Sequence, residues 1–298
     1  MFRRFTLFAV ICALLAGVGL LPQTAAAQDN KNAKPENKSK NTKPENKKAK
    51  SENKNPKPEN KNITAEAVAE GVIYVYGTRP GLEQIRRNGV ERGRITRVNS
   101  DGHTEESSYE RRFIRGENSA KDKLRIDQKS PTVEYALIYG DGHTWGIING
   151  QSFTPREETT AEFLSQKWHG IDALLRYKED GSTLTLVGKD KQMGVDMHVL
   201  DLTDKENRRT RYYISAKSLR VLALEYEEAP AGGGKPIKYM RKFYDYRAAQ
   251  STLVPYRTVL YEDGKQTQET HVMTVTYGVK MEDSIFQNPE AQAATTQP

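Results

Sequence analysis

Histidine is the first residue type to consider for catalysis or metal binding, because imidazole serves in both roles near neutral pH. No two of the five histidines form a His-Glu-x-x-His motif or another common metal-ligand spacing. The five are His103, His143, His169, His198 and His271. We therefore expect each to be an ordinary surface or strand residue, and we predict no metal site and no cofactor.

Other catalytic motifs are incomplete. Residues 232–235 read Gly-Gly-Gly-Lys, but Pro236 follows where a phosphate-binding loop needs serine or threonine. The chain has no Gly-x-Ser-x-Gly motif of a serine hydrolase. Carboxylates are plentiful, but a glycosidase needs two of them opposed across a cleft, and sequence spacing does not place them. We expect a protein without catalytic activity, and an enzyme acting on envelope glycans or lipids is the weakest of three alternatives.

The N-terminus has the three parts of a secretory signal peptide. Two arginines precede an apolar run over residues 5–21, which a proline ends before three alanines at 25–27. This order is typical of Sec-type export, and we predict a signal peptide over residues 1–27 that is cleaved after Ala27. A retained membrane anchor is the alternative, since the run is only slightly shorter than a membrane-spanning helix. The expected location is the periplasm or cell envelope of a bacterium.

Cys12 is the only cysteine, and it lies inside the apolar run of the predicted signal peptide. The mature protein is therefore expected to contain no disulfide, no thiolate metal site and no cysteine nucleophile. Its stability must come from the burial of apolar side chains, which is feasible for a domain of more than 150 residues.

Residues 28–62 have the composition of a disordered linker. Lysine, asparagine, proline and glutamate dominate, the triplet Glu-Asn-Lys recurs four times, and alanine at 33 and 49 is the only other apolar residue. Such a segment buries too little apolar surface to fold. We predict that one folded domain follows over residues 63–290, and that residues 291–298 form a disordered tail.

The positive charge of the chain belongs to this linker. The formal net charge is +7, while eleven lysines and five acidic residues give the linker +6 and the two N-terminal arginines add +2. Residues 63–298 therefore carry about −1. Because a nucleic-acid-binding domain carries positive charge on its folded surface, we exclude nucleic acid as a partner. Residues 29–62 are either an extended spacer or a contact with an anionic envelope polymer or membrane surface.

The predicted domain begins with a helix. Thr64 is a suitable N-cap, acidic residues lie in the following turns, and the helix is expected over 64–76 with its end at Gly77. A strand over residues 72–76 is the alternative, because that stretch is rich in β-branched and aromatic residues.

Two later segments also have helical signals. A short helix is predicted over residues 82–88, with its end at Gly89. Apolar residues return to helical spacing between 157 and 177, around a break at Gly170.

Most of the remaining sequence predicts β-strands joined by tight turns. Asp-Gly, the strongest local signal of a hairpin, occurs at 101–102, 141–142, 180–181 and 263–264. The predicted strands cover residues 95–99, 105–115, 124–128, 133–139, 143–148, 184–187, 195–202, 211–214, 219–227, 237–246, 254–262 and 269–277. The predicted fold class is therefore α+β, with one large antiparallel sheet.

Several predicted strands are apolar on both faces, as in residues 195–202 and 254–261. A sheet with one solvated face alternates apolar and polar residues more regularly. We therefore expect cover on both sides, supplied by helices, a partner or a ligand, with ordinary packing under helices and loops as the alternative.

The chain resembles the lipoprotein-localisation (LolA/LolB-like) superfamily of periplasmic lipid carriers, with outer-membrane lipoprotein-sorting proteins among its members. The resemblance spans about residues 64–290 and rests on three loose signatures. The first is the hairpin of residues 141–150, with Asp-Gly, Trp145 and Asn-Gly. The second is the strand pair of 211–214 and 219–222. The third is the close of the domain, from Val-Pro-Tyr at 254–256 through Asp-Gly to Phe-Gln-Asn-Pro at 286–289.

This resemblance implies an unclosed β-barrel whose concave face, covered by helices, holds acyl chains. The implied function is non-catalytic binding of a lipid or an acylated protein in an apolar groove. The candidate lining residues are Tyr135, Leu137, Trp145, Ile147, Met197, Val199, Leu222, Leu224, Tyr256 and Leu260. A one-residue slip in register would exchange the two faces of each strand. The alternative function is an envelope structural or interaction module with a solidly packed sheet, in which the basic linker makes the contacts.

Overall fold

The computed structural model describes residues 63–99, 101–192, 194–230 and 233–288. The predicted signal peptide, the linker over 28–62 and the tail over 291–298 lie outside these residues. Within the described ranges, no helix combines the length and the apolar character needed to cross a membrane.

A single antiparallel sheet of thirteen strands makes up most of the described residues. Its strands, in chain order, are β1 (Asn88–Val98), β2 (Thr104–Ile114), β3 (Lys123–Lys129), β4 (Glu134–Gly140), β5 (His143–Ile148), β6 (Gln151–Phe153), β7 (Thr183–Gln192), β8 (Val195–Thr203), β9 (Arg209–Ser215), β10 (Val221–Glu228), β11 (Ile237–Ala249), β12 (Thr252–Glu262) and β13 (Lys265–Tyr277).

The strand order is β6-β5-β4-β3-β2-β1-β13-β12-β11-β10-β9-β8-β7. Strands β1–β6 therefore form one half of the sheet, in which each strand pairs with the next along the chain. After β6 the chain passes through two helices to β7, which is the opposite edge strand. It then returns strand by strand until β13 pairs with β1. Strands β6 and β7 stay at opposite edges, so the sheet is open. This confirms the predicted α+β fold with a large, curved, unclosed sheet.

Four helices cover one face of this sheet, which we call the inner face. They are α1 (Ala65–Tyr76), α2 (Arg79–Ile85), α3 (Glu157–Trp168) and α4 (Ile171–Leu175). Short 3-10 helices lie at Ser119–Lys121 and Asp283–Phe286. The largest buried cluster joins α1 and α4 to the inner-face residues of β8–β11, among them Leu200, Tyr212, Ile214 and Leu224.

Helix α1 forms as predicted, and residues 72–76 are helical instead of extended. The Thr64 hydroxyl caps the helix by accepting a hydrogen bond from the Ala67 amide at 3.1 Å, and Gly77 ends it with a φ of 139°. The β-prone residues adopt a helix because helical spacing buries Val72 and Tyr76 against the sheet. Tertiary packing thus outweighs the local β-preference.

The second helix begins and ends earlier than predicted, at Arg79–Ile85 in place of 82–88. The Thr78 hydroxyl accepts a hydrogen bond from the Gly81 amide and starts the helix there. Asn88 already belongs to β1, where it pairs with Ile114.

The Asp-Gly turns divide into two groups. Those at 141–142 and 263–264 connect β4 to β5 and β12 to β13, with positive φ at both residues as a tight hairpin turn requires. The pair at 101–102 lies in the β1–β2 connection. The pair at 180–181 makes no hairpin, because it lies between α4 and β7, where the Asp180 carboxylate accepts from the Ser119 amide at 2.7 Å.

The outer face of the sheet is covered locally, as its apolar residues predicted. Ala136 and Ile138 of β4 pack there against Phe286 of the C-terminal 3-10 helix. Their neighbours Leu137 and Tyr139 point to the inner face, where they pack with Phe113. Cover on both faces explains why β4 does not alternate apolar and polar residues.

Candidate functional site

A cavity of about 440 Å³ lies between the inner face of the sheet and the α3–α4 segment. Its volume falls within the range of about 300–1,000 Å³ that is usual for small-molecule sites. Strands β2, β3 and β11–β13 supply an apolar floor. The floor residues are Phe113, Leu124, Ile126, Phe243, Leu253, Val254, Leu260, Val272, Val275 and Tyr277.

The roof of the cavity is the junction of α3 and α4, where the predicted break at Gly170 is found. The sheet holds this junction in place, because the Tyr212 hydroxyl donates a hydrogen bond to the Gly170 carbonyl at 2.8 Å. Arg241 of β11 donates to the His169 carbonyl at 3.2 Å. The roof is thus fixed to β9 and β11 by hydrogen bonds.

His169 corrects the expectation that every histidine is a surface or strand residue. It follows α3 and is only 1% exposed. Its Nδ1 lies 2.6 Å from the Thr210 hydroxyl, and its ring stacks on Tyr226 at 4.0 Å. Its other ring nitrogen, Nε2, lies 3.2 Å from Glu228 Oε1 but has no hydrogen-bond partner among the described residues. His103, His143 and His271 are exposed, and His198 is a buried residue of β8.

The walls of the cavity carry more positive than negative charge. Nine lysine and arginine side chains line it against six carboxylates. The cations are Arg86, Arg111, Arg115, Lys123, Lys167, Arg176, Lys205, Arg208 and Arg241. The anions are Glu91, Asp122, Asp172, Asp180, Asp204 and Glu206. The near-neutral domain therefore concentrates positive charge around its cavity.

Asp172 of α4 is the centre of a group of arginines in the cavity wall. Its carboxylate lies 2.6 Å from Arg115 Nη2 and 3.3 Å from Arg86 Nη1. Burial acts to raise the pKa of Asp172, but the nearby guanidinium groups, including Arg111, outweigh burial and hold that pKa well below its usual range. The carboxylate is therefore charged whenever the protein is folded near neutral pH.

Arg86 and Arg115 are themselves largely buried, with 7% and 11% of their side chains exposed. Arg86 also donates to the Leu253 carbonyl at 2.7 Å, and its guanidinium lies over the Tyr277 ring. Arg115 and Arg111 both lie over the Phe113 ring. Aromatic faces thus support the guanidinium groups from the floor side.

A second ion pair closes another part of the wall. Arg176 Nη1 lies 2.9 and 3.0 Å from the two carboxylate oxygens of Asp122, which also accepts from the Gly116 amide at 2.9 Å. Burial raises the pKa of Asp122 and lowers the pKa of Lys167, which lies over the Tyr139 ring. These contacts tie the end of α4 and the 3-10 segment to the edge of the cavity.

The predicted lining residues are distributed over both faces. Leu260 lines the cavity directly. Tyr135, Leu137 and Tyr256 lie on the inner face in the cluster around Phe113, and Leu224 packs in the cluster under α1. Leu222 is partly buried.

The other predicted lining residues lie on the outer face. Trp145 pairs directly with Ile138, and Ile147 with Ala136, in the outer cluster. Met197 and Val199 alternate along β8 with Leu200, whose side chain packs in the inner cluster, so they too face outward. The structure therefore does not bring the ten residues together.

Sequence reasoning missed the arginines of the cavity wall. One signal was present in β2. Arg111 is two residues from both Tyr109 and Phe113, so its side chain lies on the same face of the strand as these two buried aromatic residues. Nothing in the sequence links it to Asp172, because these residues meet only through the fold. In the described part of the chain, no group of three metal-binding side chains is found.

Known proteins with a similar fold share little sequence with this chain. No protein-family model matches the sequence, and no curated protein matches it significantly. Among solved structures, a DUF1329 family protein from Desulfovibrio piger is 12% identical, with a TM-score of 0.55 over 76% of this chain and 98% of that chain. A LolA superfamily protein from Nitrosomonas europaea is also 12% identical, with a TM-score of 0.52 over 76% and 98%.

A third similar structure is a putative outer membrane lipoprotein-sorting protein domain from Vibrio parahaemolyticus. It is 12% identical, with a TM-score of 0.51 over 75% of this chain and 96% of that chain. The similarity covers nearly all of each of these three chains, and it confirms the fold that the resemblance implied. The chain has the fold of LolA superfamily proteins and of outer-membrane lipoprotein-sorting domains.

Proposed function

We propose that this protein is a non-catalytic carrier of the bacterial envelope that binds a lipid, or the acyl chains of a lipidated protein, in the cavity under α3 and α4. The observation that carries the proposal is the cavity itself, with its floor of apolar side chains between the sheet and the helices. An acyl chain gains about 0.8 kcal/mol for each methylene that it moves from water to such a surface.

The size and accessibility of the cavity support this role over a solidly packed sheet. A volume of about 440 Å³ remains unfilled by side chains, whereas protein interiors leave few voids larger than a water molecule. The similar fold of LolA superfamily proteins supports the same function. In this proposal, Leu260 contacts the ligand. The other predicted residues of the inner-face clusters pack around the floor and support it; they are Tyr135, Leu137, Leu224 and Tyr256.

The N-terminal sequence supports a location outside the cytoplasm. In this proposal, residues 1–27 direct Sec-type export and residues 28–62 are a charged spacer between the envelope and the domain. The spacer has a root-mean-square reach of about 30 Å as a flexible coil. With the signal peptide cleaved, the spacer would keep the cavity near the membrane only through contacts of its lysines with an anionic surface.

Native mass spectrometry of the full-length protein tests the proposal. The protein would be purified without detergent from the envelope of the bacterium that makes it, and the bound material would be extracted and identified. We expect a reproducible lipid or lipidated protein at a stoichiometry near one. A protein that is empty in every preparation, and that binds no added lipid, would contradict the proposal.

A further inference from the structure

Three guanidinium groups meet at one place in the cavity wall, and one carboxylate lies between them. Asp172 contacts Arg115 and Arg86 at 2.6 and 3.3 Å. Arg111 is near enough for its charge to lower the pKa of Asp172. It lies 5.2 Å above the Phe113 ring, and it forms no ion pair with a described residue. These residues, Arg86, Arg111, Arg115 and Asp172, are the arginine cluster.

The arginine cluster is not neutralised by its surroundings. The second carboxylate in this part of the wall is Glu91, which pairs in register with Arg111 and accepts a hydrogen bond from the Tyr109 hydroxyl at 2.8 Å. Three positive charges thus face two negative ones, and the whole cavity wall has an excess of three positive charges. An anion entering the cavity meets a net positive charge.

Hydrogen-bond donors of the arginine cluster also lack acceptors. Arg86 Nε is buried and has no hydrogen-bond partner among the described residues. Arg115 Nη2 is close to Asp172, but it has no acceptor in hydrogen-bond geometry there. A buried donor without an acceptor costs free energy, which an incoming acceptor oxygen recovers. Arg86 and Arg115 both line the cavity, so their guanidinium groups border the space that such an oxygen would enter.

The chemistry of guanidinium selects the kind of anion. Arginine presents several N–H donors in a planar fork that matches the oxygens of phosphate or carboxylate. Its charge acts more strongly here than at the surface, because apolar side chains and aromatic rings surround it. An oxyanion linked to an apolar body suits a wall that places the arginine cluster beside Phe113 and Tyr277.

We propose that the arginine cluster binds the phosphate-type head group of an anionic lipid whose acyl chains lie on the apolar floor. This inference rests on the proposed function, since it assumes that the cavity holds acyl chains. It adds the ligand class, an anionic amphiphile with an accessible phosphate oxygen. Asp172 holds Arg86 and Arg115 in place, and Arg111 is free to turn toward the head group.

Three probes separate the parts of the ligand. Dioctanoyl phosphatidylglycerol carries both acyl chains and a phosphodiester, dioctanoylglycerol carries the same chains without phosphate, and inorganic phosphate carries the anion alone. Binding of each to the full-length protein would be measured by isothermal titration at low and high salt. We expect the phosphatidylglycerol to bind at least about tenfold more tightly than dioctanoylglycerol, and the difference to shrink in high salt.

Arg111→Gln removes one charge from the arginine cluster without breaking an ion pair. We expect it to weaken phosphatidylglycerol binding about tenfold and to change dioctanoylglycerol binding much less, because that probe carries no anion. Arg112→Gln is the control for loss of a positive charge outside the cavity. This residue is next in β2 and faces outward, where it pairs with Asp127 at 2.6 Å and with Glu110, so both affinities should stay within about twofold. Thermal unfolding of both variants checks that each is folded.

The outcomes distinguish the two proposals. If phosphatidylglycerol and dioctanoylglycerol bind equally, or if Arg111→Gln weakens both alike, the head-group site is wrong and the carrier function stands. If inorganic phosphate binds as tightly as phosphatidylglycerol, the cluster is a site for the free anion and the lipid assignment is wrong. If neither amphiphile binds, the carrier function itself fails.

Discussion

Arg86 and Asp172 lie 3.3 Å apart although 86 positions separate them in the chain. Arg86 follows α2, which comes before the first strand, and Asp172 lies in α4, within the crossover between the two halves of the sheet. Their ion pair therefore joins the N-terminal helices to the roof of the cavity. The same contact brings a buried guanidinium and a carboxylate to the cavity wall, so the pair contributes both to the fold and to the charge of the site.

Asp172→Asn should lower stability and strengthen anion binding together. The substitution leaves Arg86 and Arg115 without their shared counter-charge, and we expect it to reduce the free energy of unfolding by about 1–2 kcal/mol. This is less than for a fully buried pair, because 40% of the Asp172 side chain is exposed to the cavity. The free energy of unfolding would be measured by urea denaturation, and the affinity for dioctanoyl phosphatidylglycerol by titration.

Asp196→Asn is the control for this substitution. Asp196 of β8 also pairs with a cation, Lys191, at 3.6 Å, but it is 76% exposed, and neither residue lines the cavity. We expect less than about 0.5 kcal/mol of destabilisation and no change in lipid affinity. Equal effects of the two substitutions would show that the Asp172 contacts have no special role.

The low pKa of Asp172 should make the free energy of unfolding depend on pH in the acid range. Its pKa in the folded protein lies well below the ordinary value of 3.8. The unfolded chain therefore binds a proton that the folded protein does not, and the free energy of unfolding falls as the pH drops below about 5. Asp122, whose pKa burial raises, acts in the opposite direction.

Comparing wild type with Asp172→Asn isolates the Asp172 contribution. We expect the free energy of unfolding, measured by urea denaturation from pH 6 to pH 2.5, to fall less steeply in the variant. The two curves should approach each other at the acid end, because protonation removes in wild type the charge that the variant lacks at every pH. Parallel curves would mean that Asp172 has an ordinary pKa.

The contact of the buried Tyr76 with the partly buried Tyr246 gives a second prediction about stability. The Tyr76 hydroxyl donates to the Tyr246 hydroxyl at 2.9 Å and accepts from the Val221 amide at 3.3 Å. Tyr76→Phe leaves that amide without an acceptor in the core, and we expect a loss of about 1–2 kcal/mol in the free energy of unfolding. Tyr74→Phe on the same helix is the control. Tyr74 is 74% exposed, so its hydroxyl should contribute nothing measurable, and equal losses would contradict the packing of α1.

The sequence predicted those parts of the fold that local signals determine. Thr64 and Gly77 mark the two ends of α1, and the Asp-Gly turns at 141–142 and 263–264 mark two hairpins. Two other segments were not predicted correctly, because their structure depends on contacts with other parts of the fold. The three-residue strand β6 was not predicted, and Asp180-Gly181 has the composition of a hairpin turn but follows a helix. Strand β6 pairs with the adjacent β5 and is too short to show an alternating pattern, whereas Asp180 is held by Ser119, 61 positions away.

The site was predicted less completely than the fold, for a related reason. A strand pattern divides residues into two faces, but it does not say which face bears the helices. Trp145 and Leu137 were therefore placed in one lining set although they lie on opposite faces. The arginine cluster is assembled from the end of α2, the end of β2 and α4. No spacing along the chain indicates that juxtaposition.

A cavity-filling variant distinguishes a lipid bound inside the cavity from one bound elsewhere on the protein. Thr258 of β12 lines the cavity between Phe243 and Thr270 on the neighbouring strands, so Thr258→Trp would place a large side chain on its floor. Thr276→Trp makes the same change on β13, at an exposed position facing away from the cavity. Thermal unfolding would confirm that both variants are folded.

The decisive measurement is the amount of lipid that copurifies with these two variants and with wild type, determined by native mass spectrometry of the full-length proteins. We predict that wild type and Thr276→Trp carry the same lipid and that Thr258→Trp carries little or none. A folded Thr258→Trp protein with as much lipid as wild type would contradict the account, because the ligand would then lie outside the cavity.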